Sequence, residues 1–319
     1  MTIAAAERML SVTLRVARFT PKPERPGRRR GGSPFGSKSP FGGDGSESRS
    51  NRVRGKRWSQ DYTVLAHADD SVLDCLLAVK RDQDPSLAFR YSCGHGMCGS
   101  DAVAINGTPT LLCTAKVRDW ARPDSPEYAN EDGFRPTGEP LDSSEHAIDL
   151  DALAPDTPLV IELAALPGFP TRRDLIADID PMLDQIRRLK PYLEAKNELK
   201  TTAEGKVNVF EYLQHPDELA RYELLSNCIA CGVCEGSCPV YAGGEAFVGP
   251  AAMIMSSRFL NDSRDAAFQA RLTALMGPDG SAACQSVRAC SMHCPKGIDV
   301  GEELWQTIQK VDAAKAQLQ

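Results

Sequence analysis

Seven of eleven cysteines crowd into two short runs near the C-terminus, and no other feature constrains this 319-residue chain as tightly. The first run, CIACGVCEGSC, spans Cys228 to Cys238 and is followed by Pro239, a C-x2-C-x2-C-x3-C-P spacing. The second, CQSVRACSMHC, spans Cys284 to Cys294 and is followed by Pro295. The same spacing asks for cysteines at 284, 287, 290 and 294. Three are present, and position 287 is Val.

Runs of this kind hold iron–sulfur clusters, and where two clusters share a fold each run lends its fourth cysteine to the other. The crossing rule gives Cys228, Cys231, Cys234 and Cys294 to one cluster, four thiolates that suit [4Fe–4S]. It leaves Cys238, Cys284 and Cys290 for the other, with Val287 at the vacant corner. Three ligands make [3Fe–4S] the simplest occupant. Structural zinc is the competing reading, since paired C-x2-C elements also build zinc sites. Two Cys-Pro endings at x3 spacing favour iron–sulfur over it.

A third constellation lies in FRYSCGHGMCGSDAVAINGTPTLLC. Cys93-x4-Cys98-x2-Asp101 follows the plant-type C-x4-C-x2-C spacing with a carboxylate in third place, and Cys113 supplies a fourth ligand for [2Fe–2S]. Gly94, Gly96 and Gly99 allow the backbone N–H groups to close around a cluster. The alternative for Asp101 is an ordinary capping or surface Asp, with solvent or another residue completing the site. His95 reads as a solvent-facing loop residue and Cys75 as a small buried hydrophobe.

The chain organises around these sites. Residues 10–19 alternate apolar and polar, a half-buried strand, and residues 61–66 resume the alternation as its partner. Between them, residues 21–57 carry 11 Lys/Arg against 3 Asp/Glu and little apolar matter, so a disordered basic insert is expected. A solvated loop is favoured there over a nucleic-acid or lipid-binding segment, and the strand ahead of it argues against a transit peptide. Asp70 or Ser71 caps a helix to about 83, with Val72, Leu73, Leu76, Leu77 and Lys80 at helical spacing. Asn106-Gly107 marks a hairpin between residues 101–105 and 110–113. Residues 122–157 form an acidic insert, and residues 158–163 a closing strand.

Strand, strand, helix, cluster loop, hairpin is the order of a β-grasp ferredoxin. From Thr171 the pattern turns helical, through DLIADIDPMLDQIRRLKPYL, residues 249–262, 263–275 and 301–311. The expectation is α+β: a β-grasp [2Fe–2S] domain at 8–170, then an all-α domain at 171–319 holding the other two clusters. No apolar run approaches the ~20 residues that span a bilayer. Eleven cysteines without a secretory leader favour metal ligation in a reducing compartment over disulfides.

Several stretches in order resemble the iron–sulfur subunits of the succinate dehydrogenase and fumarate reductase (succinate:quinone oxidoreductase) family. They are SVLDCLLAVKRDQDPSLAFRYSCGHGMCGSDAVAING, DLIADIDPML, CIACGVCEGSCP, FVGPAAMIMSSRFLNDSRD and CSMHCPKGID. The likeness covers about residues 10–311, apart from the two inserts. It implies an N-terminal β-grasp ferredoxin domain followed by a helical ferredoxin domain. It also implies an electron wire, with FAD and the catalytic site on a partner flavoprotein subunit and no catalytic residue on this chain. Electrons would pass singly through [2Fe–2S], [4Fe–4S] and [3Fe–4S] to a quinone beside a membrane-anchor subunit of cytochrome b type.

The family's quinone-lining positions match Pro239, Gln285, Val287 and Lys296. Ubiquinone-reducing members carry a Trp after the first Cys-Pro and a His after the first [3Fe–4S] cysteine. Here those places read VYAGGEAF and Gln285, which favours menaquinone. The resemblance places the chain peripherally on the cytoplasmic face of a bacterial or archaeal plasma membrane, with no nucleic acid as partner. A related dehydrogenase subunit is the nearer alternative, and a zinc-stapled interaction protein the remote one.

Overall fold

The computed structural model describes residues 9–22, 54–124, 157–195, 201–206 and 214–318, so most of both expected inserts lies outside the described residues. Strands β1 (Met9–Pro21) and β2 (Gly55–His67) pair antiparallel without a break from Met9↔His67 to Pro21↔Gly55. Alternation does the work: Leu10, Val12, Leu14 and Val16 bury one face of β1, and Tyr62, Val64 and Ala66 bury the matching face of β2. Both strands outrun the sequence expectation, and Gly55, Lys56 and Arg57 belong to β2 instead of the basic loop. Aromatic faces explain how cations stay in the ribbon. Arg57 lies 4.6 Å from the Phe19 ring centre, and Lys56 and Arg18 lie 5.5 and 5.3 Å from that of Trp58.

Helix α1 (Val72–Asp82) begins at a capping box, in which Ser71 Oγ accepts from the Asp74 N–H and the Asp74 carboxylate accepts from the Ser71 N–H, both at 3.1 Å. It buries Val72, Leu73, Cys75, Leu76 and Val79. Strands β3 (Ala102–Ile105) and β4 (Thr108–Leu111) form the expected hairpin, with Asn106 at φ 49 and Gly107 at φ 84 in its two-residue turn. Asn106 also ties the turn down, donating to the Trp120 carbonyl at 2.7 Å and accepting from the Glu162 N–H at 2.9 Å.

After α2 (Val117–Trp120) and β5 (Arg122–Pro123), β6 (Leu159–Ala165) enters between β1 and β3, parallel to the first and antiparallel to the second. The sheet order is β2-β1-β6-β3-β4, with β5 alongside β6.

The expected helical pattern from Thr171 instead opens with a small hairpin, β7 (Thr171–Arg173) and β8 (Ile176–Ala177). Tertiary contacts override the local period here. Asp174, at φ 45, accepts from the Phe19 N–H at 3.0 Å and the Ala88 N–H at 2.9 Å, pinning the turn to the first sheet. Beyond it the named elements of the described residues are helical: α3 (Asp180–Arg188), α4 (Pro216–Ala220), α5 (Val233–Ser237), α6 (Pro239–Ala242), α7 (Pro250–Leu260), α8 (Phe268–Leu275), α9 (Ala289–Met292) and α10 (Val300–Gln317). Buried Arg271 on α8 pairs with Asp265 at 2.8 Å and donates to the carbonyls of Leu189, Lys190 and Tyr192. These bonds tie down the chain past the end of α3, where the Lys190 carbonyl also accepts from the Tyr192 N–H at 2.8 Å.

Two apolar cores result, and they interlock. Leu166 and Phe169, just past β6, belong to the core of the helical half, whereas Leu175 of the β7–β8 turn belongs to that of the sheet half.

Candidate metal centres

The loop from Cys93 to Cys98 has no regular structure, and Gly94, Gly96 and Gly99 all take positive φ in and beside it. That curvature turns amides inward. The Gly96 N–H donates to Cys113 Sγ at 3.2 Å, and the Met97 N–H to Cys93 Sγ at 3.4 Å. Backbone donation from His95 and Met97 brings the Cys93 thiol down to about 7, with a contribution from the neighbouring Cys98 thiol. His95 itself turns onto the backbone, its Nδ1 lying 2.6 Å from the Cys93 carbonyl.

Asp101 joins this group. It is buried, and its Oδ2 accepts from the Cys113 N–H at 2.7 Å. Its Oδ1 is buried without any hydrogen-bond partner. An orphaned carboxylate oxygen beside Cys113 is what a missing cation or metal core would satisfy. Burial, followed by Asp101, pushes the Cys113 thiol up to about 12.

The two later runs come together crosswise. Cys228, Cys231, Cys234 and Cys294 line one cavity, floored by Ala251, Ile254 and Ile298. Cys228 and Cys231 lie in the field of Cys294 and in turn act on Cys234. Cys284 acts on Cys238, and both act on Cys290. Desolvation pushes Cys228 up to about 11 and Cys231 and Cys290 to about 12. Such thiols would lose their protons only to a strongly cationic core. The donor set therefore fits iron–sulfur chemistry. Cys75, also pushed up to about 12 by desolvation, sits apart in α1 among apolar neighbours, as the sequence suggests.

The sites adjoin. A Cβ built on Gly99 would stand 2.6 Å from Cys231 Cβ and 3.2 Å from Ile229 Cδ1, so only glycine lets the first loop touch the second box. Between the halves lies a cavity of about 290 Å³ whose lining includes Cys98, Asp101, Leu166, Leu175 and Cys231.

Of the residues matched to a quinone site, Pro239 opens α6 directly after Cys238, and Gln285 and Val287 are exposed between Cys284 and Cys290. Val287 is 58% exposed and is flanked by Ser286 and Arg288 at positive φ, in a sharply curved loop. Lys296 stands elsewhere. It lines the cavity of Cys228, Cys231, Cys234 and Cys294, and its Nζ lies 3.4 Å from Met97 Sδ on the first loop.

Sequence reasoning passed over Glu235. It is fully buried, with its carboxylate accepting from the Ala251 N–H at the start of α7 at 2.6 Å and lying 3.1 Å from Cys234 Sγ. Its field reaches Cys228, Cys231, Cys234, Cys238 and Cys290, which puts it between the two thiol groups. The signal was a lone charged residue inside CGVCEGSC, where every other intervening residue is small or apolar.

Among the described residues no helix is long and apolar enough to cross a membrane. The family described as "2Fe-2S iron-sulfur cluster binding domain" matches residues 13–184, and "4Fe-4S dicluster domain" matches residues 224–298. A fumarate reductase iron-sulfur subunit from Mycobacterium tuberculosis is 32% identical over 240 residues, covering 75% of this chain and 80% of that protein. A succinate dehydrogenase iron-sulfur subunit from Coxiella burnetii is 32% identical over 247 residues, covering 76% and 86%. A solved structure titled "Mycobacterium smegmatis Sdh1 complex in the apo form" shares the fold, with a TM-score of 0.67 and 20% identity over 97% of this chain and 98% of that one. Cysteine spacing, paired cluster domains and relatives of matching length agree: the chain belongs to the family of iron–sulfur subunits of succinate dehydrogenase and fumarate reductase.

Proposed function

We propose that this chain carries electrons one at a time between a flavoprotein subunit, whose FAD handles succinate or fumarate, and a quinone beside a membrane-anchor subunit of cytochrome b type. Three clusters supply the chemistry when bound: one-electron carriers that link two-electron partners, with potentials set by ligand type, hydrogen bonding and exposure. Cys93, Cys98, Asp101 and Cys113 would hold [2Fe–2S]. Cys228, Cys231, Cys234 and Cys294 would hold [4Fe–4S], and Cys238, Cys284 and Cys290 would hold [3Fe–4S]. The domains would be a β-grasp ferredoxin and a helical ferredoxin.

The observation that carries this reading is the crosswise grouping of seven thiols, with Cys294 among the first box and Cys238 among the second. The chain's own part is placement. Gly99 lets the first loop meet Cys231, and the inward amides of Gly96 and Met97 stabilise thiolates on the first loop. Pro239, Gln285 and Val287 stand on the side of the three-thiol group and would meet the quinone there. Gln285, with VYAGGEAF in place of a Trp-bearing segment, favours menaquinone. The anchor would hold the chain at the cytoplasmic face of a bacterial or archaeal plasma membrane.

The test is purification of the intact complex, with EPR of its clusters and side-by-side assays of succinate:quinone and quinol:fumarate activity. Three distinct cluster signals and activity in at least one direction are expected. A colourless, zinc-loaded chain without a flavoprotein partner would sink the proposal.

A further inference from the structure

We propose that Lys296 is a positioning residue for the electron step from the first centre to the second, strapping the two sites together and biasing both toward the reduced state. This rests on the cluster assignment above and deepens it.

Lys296 is held by a tight turn: the Gly297 N–H donates to the Cys294 carbonyl at 3.1 Å, with Pro295 between and Gly297 at φ 68. The turn fixes the Lys296 backbone two residues beyond a thiol of the second site. Its side chain lines the cavity of Cys228, Cys231, Cys234 and Cys294 and reaches Met97 Sδ at 3.4 Å. Met97 is in turn the residue whose N–H donates to Cys93 Sγ. The ammonium thus touches the first loop and borders the second site at once. Among the described residues it forms no ion pair with a carboxylate.

In the step itself one electron leaves the first centre and enters the second, and no bond or proton changes place. Each centre gains a negative charge on reduction, and a fixed cation beside both lowers the energy of those reduced forms. Contact with Met97 also ties the first loop to the turn that follows Cys294. This departs from the quinone role that family resemblance suggests for the position. Gln285 and Val287 lie exposed between Cys284 and Cys290 of the three-thiol group, whereas Lys296 lines the four-thiol cavity.

The experiment is an EPR-monitored redox titration of the holo-complex carrying wild-type chain, Lys296→Met or Lys296→Arg, together with quinone KM. Lys296→Met should cut the reduced-to-oxidised ratio of the first two centres at fixed ambient potential about threefold, equivalent to about 28 mV at 59 mV per tenfold. The third centre and the quinone KM should stay unchanged, and Lys296→Arg should restore the wild-type potentials. Unshifted potentials in Lys296→Met overturn the proposal. So do an equal shift of all three centres and a raised quinone KM with the first two centres unaltered. Absence of the first two signals from the wild type would instead overturn the cluster assignment, and this inference with it.

Discussion

Asp101 holds one carboxylate oxygen on the Cys113 N–H and leaves the other buried with no protein partner. An unpaired buried acceptor costs about 1–3 kcal/mol, which ligation would recover. Asp101→Cys should therefore retain the [2Fe–2S] centre with an altered EPR signature and potential, and Asp101→Ala should lose or degrade it. An unaltered spectrum in the alanine variant removes Asp101 from the ligand set. Val287 bears on the third centre. Its loop is exposed and curved, so Val287→Cys can swing a thiol toward the vacant corner without repacking a core.

With the proposed [3Fe–4S] on Cys238, Cys284 and Cys290, such a change should convert it to [4Fe–4S], abolish the oxidised-state signal of a three-iron centre and lower its potential. A drop of ~100 mV makes electron entry less favourable by ~2.3 kcal/mol. Quinone reduction should then slow while flavin reduction by succinate stays normal, which rapid-mixing spectroscopy separates. The proposed ligands, the boxed cysteines and Asp101, could be named from sequence because cluster boxes are defined by their spacing. Glu235 was missed, and Lys296 was singled out for a different reason, because their contacts lie at the start of α7 and on the first loop, both remote in sequence.

Among the elements, β1 owes its reach partly to Arg18, which is buried on a strand otherwise lined with Val and Leu. Its guanidinium pairs with Asp84 at 2.6 Å and with Asp174 at 3.0 Å, joining β1 to the end of α1 and to the β7–β8 turn. The Ser86 hydroxyl and the Tyr62 phenol, with Arg18, hold the Asp84 carboxyl well below the usual aspartate range. A depressed folded pKa contributes stability that is present above the unfolded value of about 3.9 and fades as pH falls through the lower folded value. Asp84→Asn should lower the melting temperature at neutral pH and flatten its fall below about pH 4, as calorimetry across pH would record. Equal acid sensitivity in variant and wild type would exclude Asp84 as its source.

This clasp also explains the element that the sequence misreported. Thr171 to Ala177 has a helical look, yet Phe19, Ala88 and Asp174 commit its backbone to a turn through partners more than eighty residues away. Strand pairing and the Asn106-Gly107 hairpin were readable because alternation and turn chemistry are local. The extra length of β2 was hidden by its cations, whose aromatic supports lie at positions 19 and 58.

At the scale of the whole molecule, the sheet half and the helical half meet through backbone at Gly99. Gly99→Ala places a methyl where Cys231 stands, at φ 66 that a side chain rarely adopts. The variant should disturb the first and second centres together and spare the third, visible as paired changes in EPR line shape and potential. Disturbance of the first centre alone would show that the contact is not transmitted.

The boundary itself is a cross-stitch, with Leu166 and Phe169 sewn into one core and Leu175 into the other. A cut near residue 170 would tear an apolar plug from each side, so neither half is a ready-made module for transplantation. Iron loading in either half is consequently a matter for the other's folding, and a lineage that reshuffled these ferredoxin parts would have to carry residues 166–177 with both.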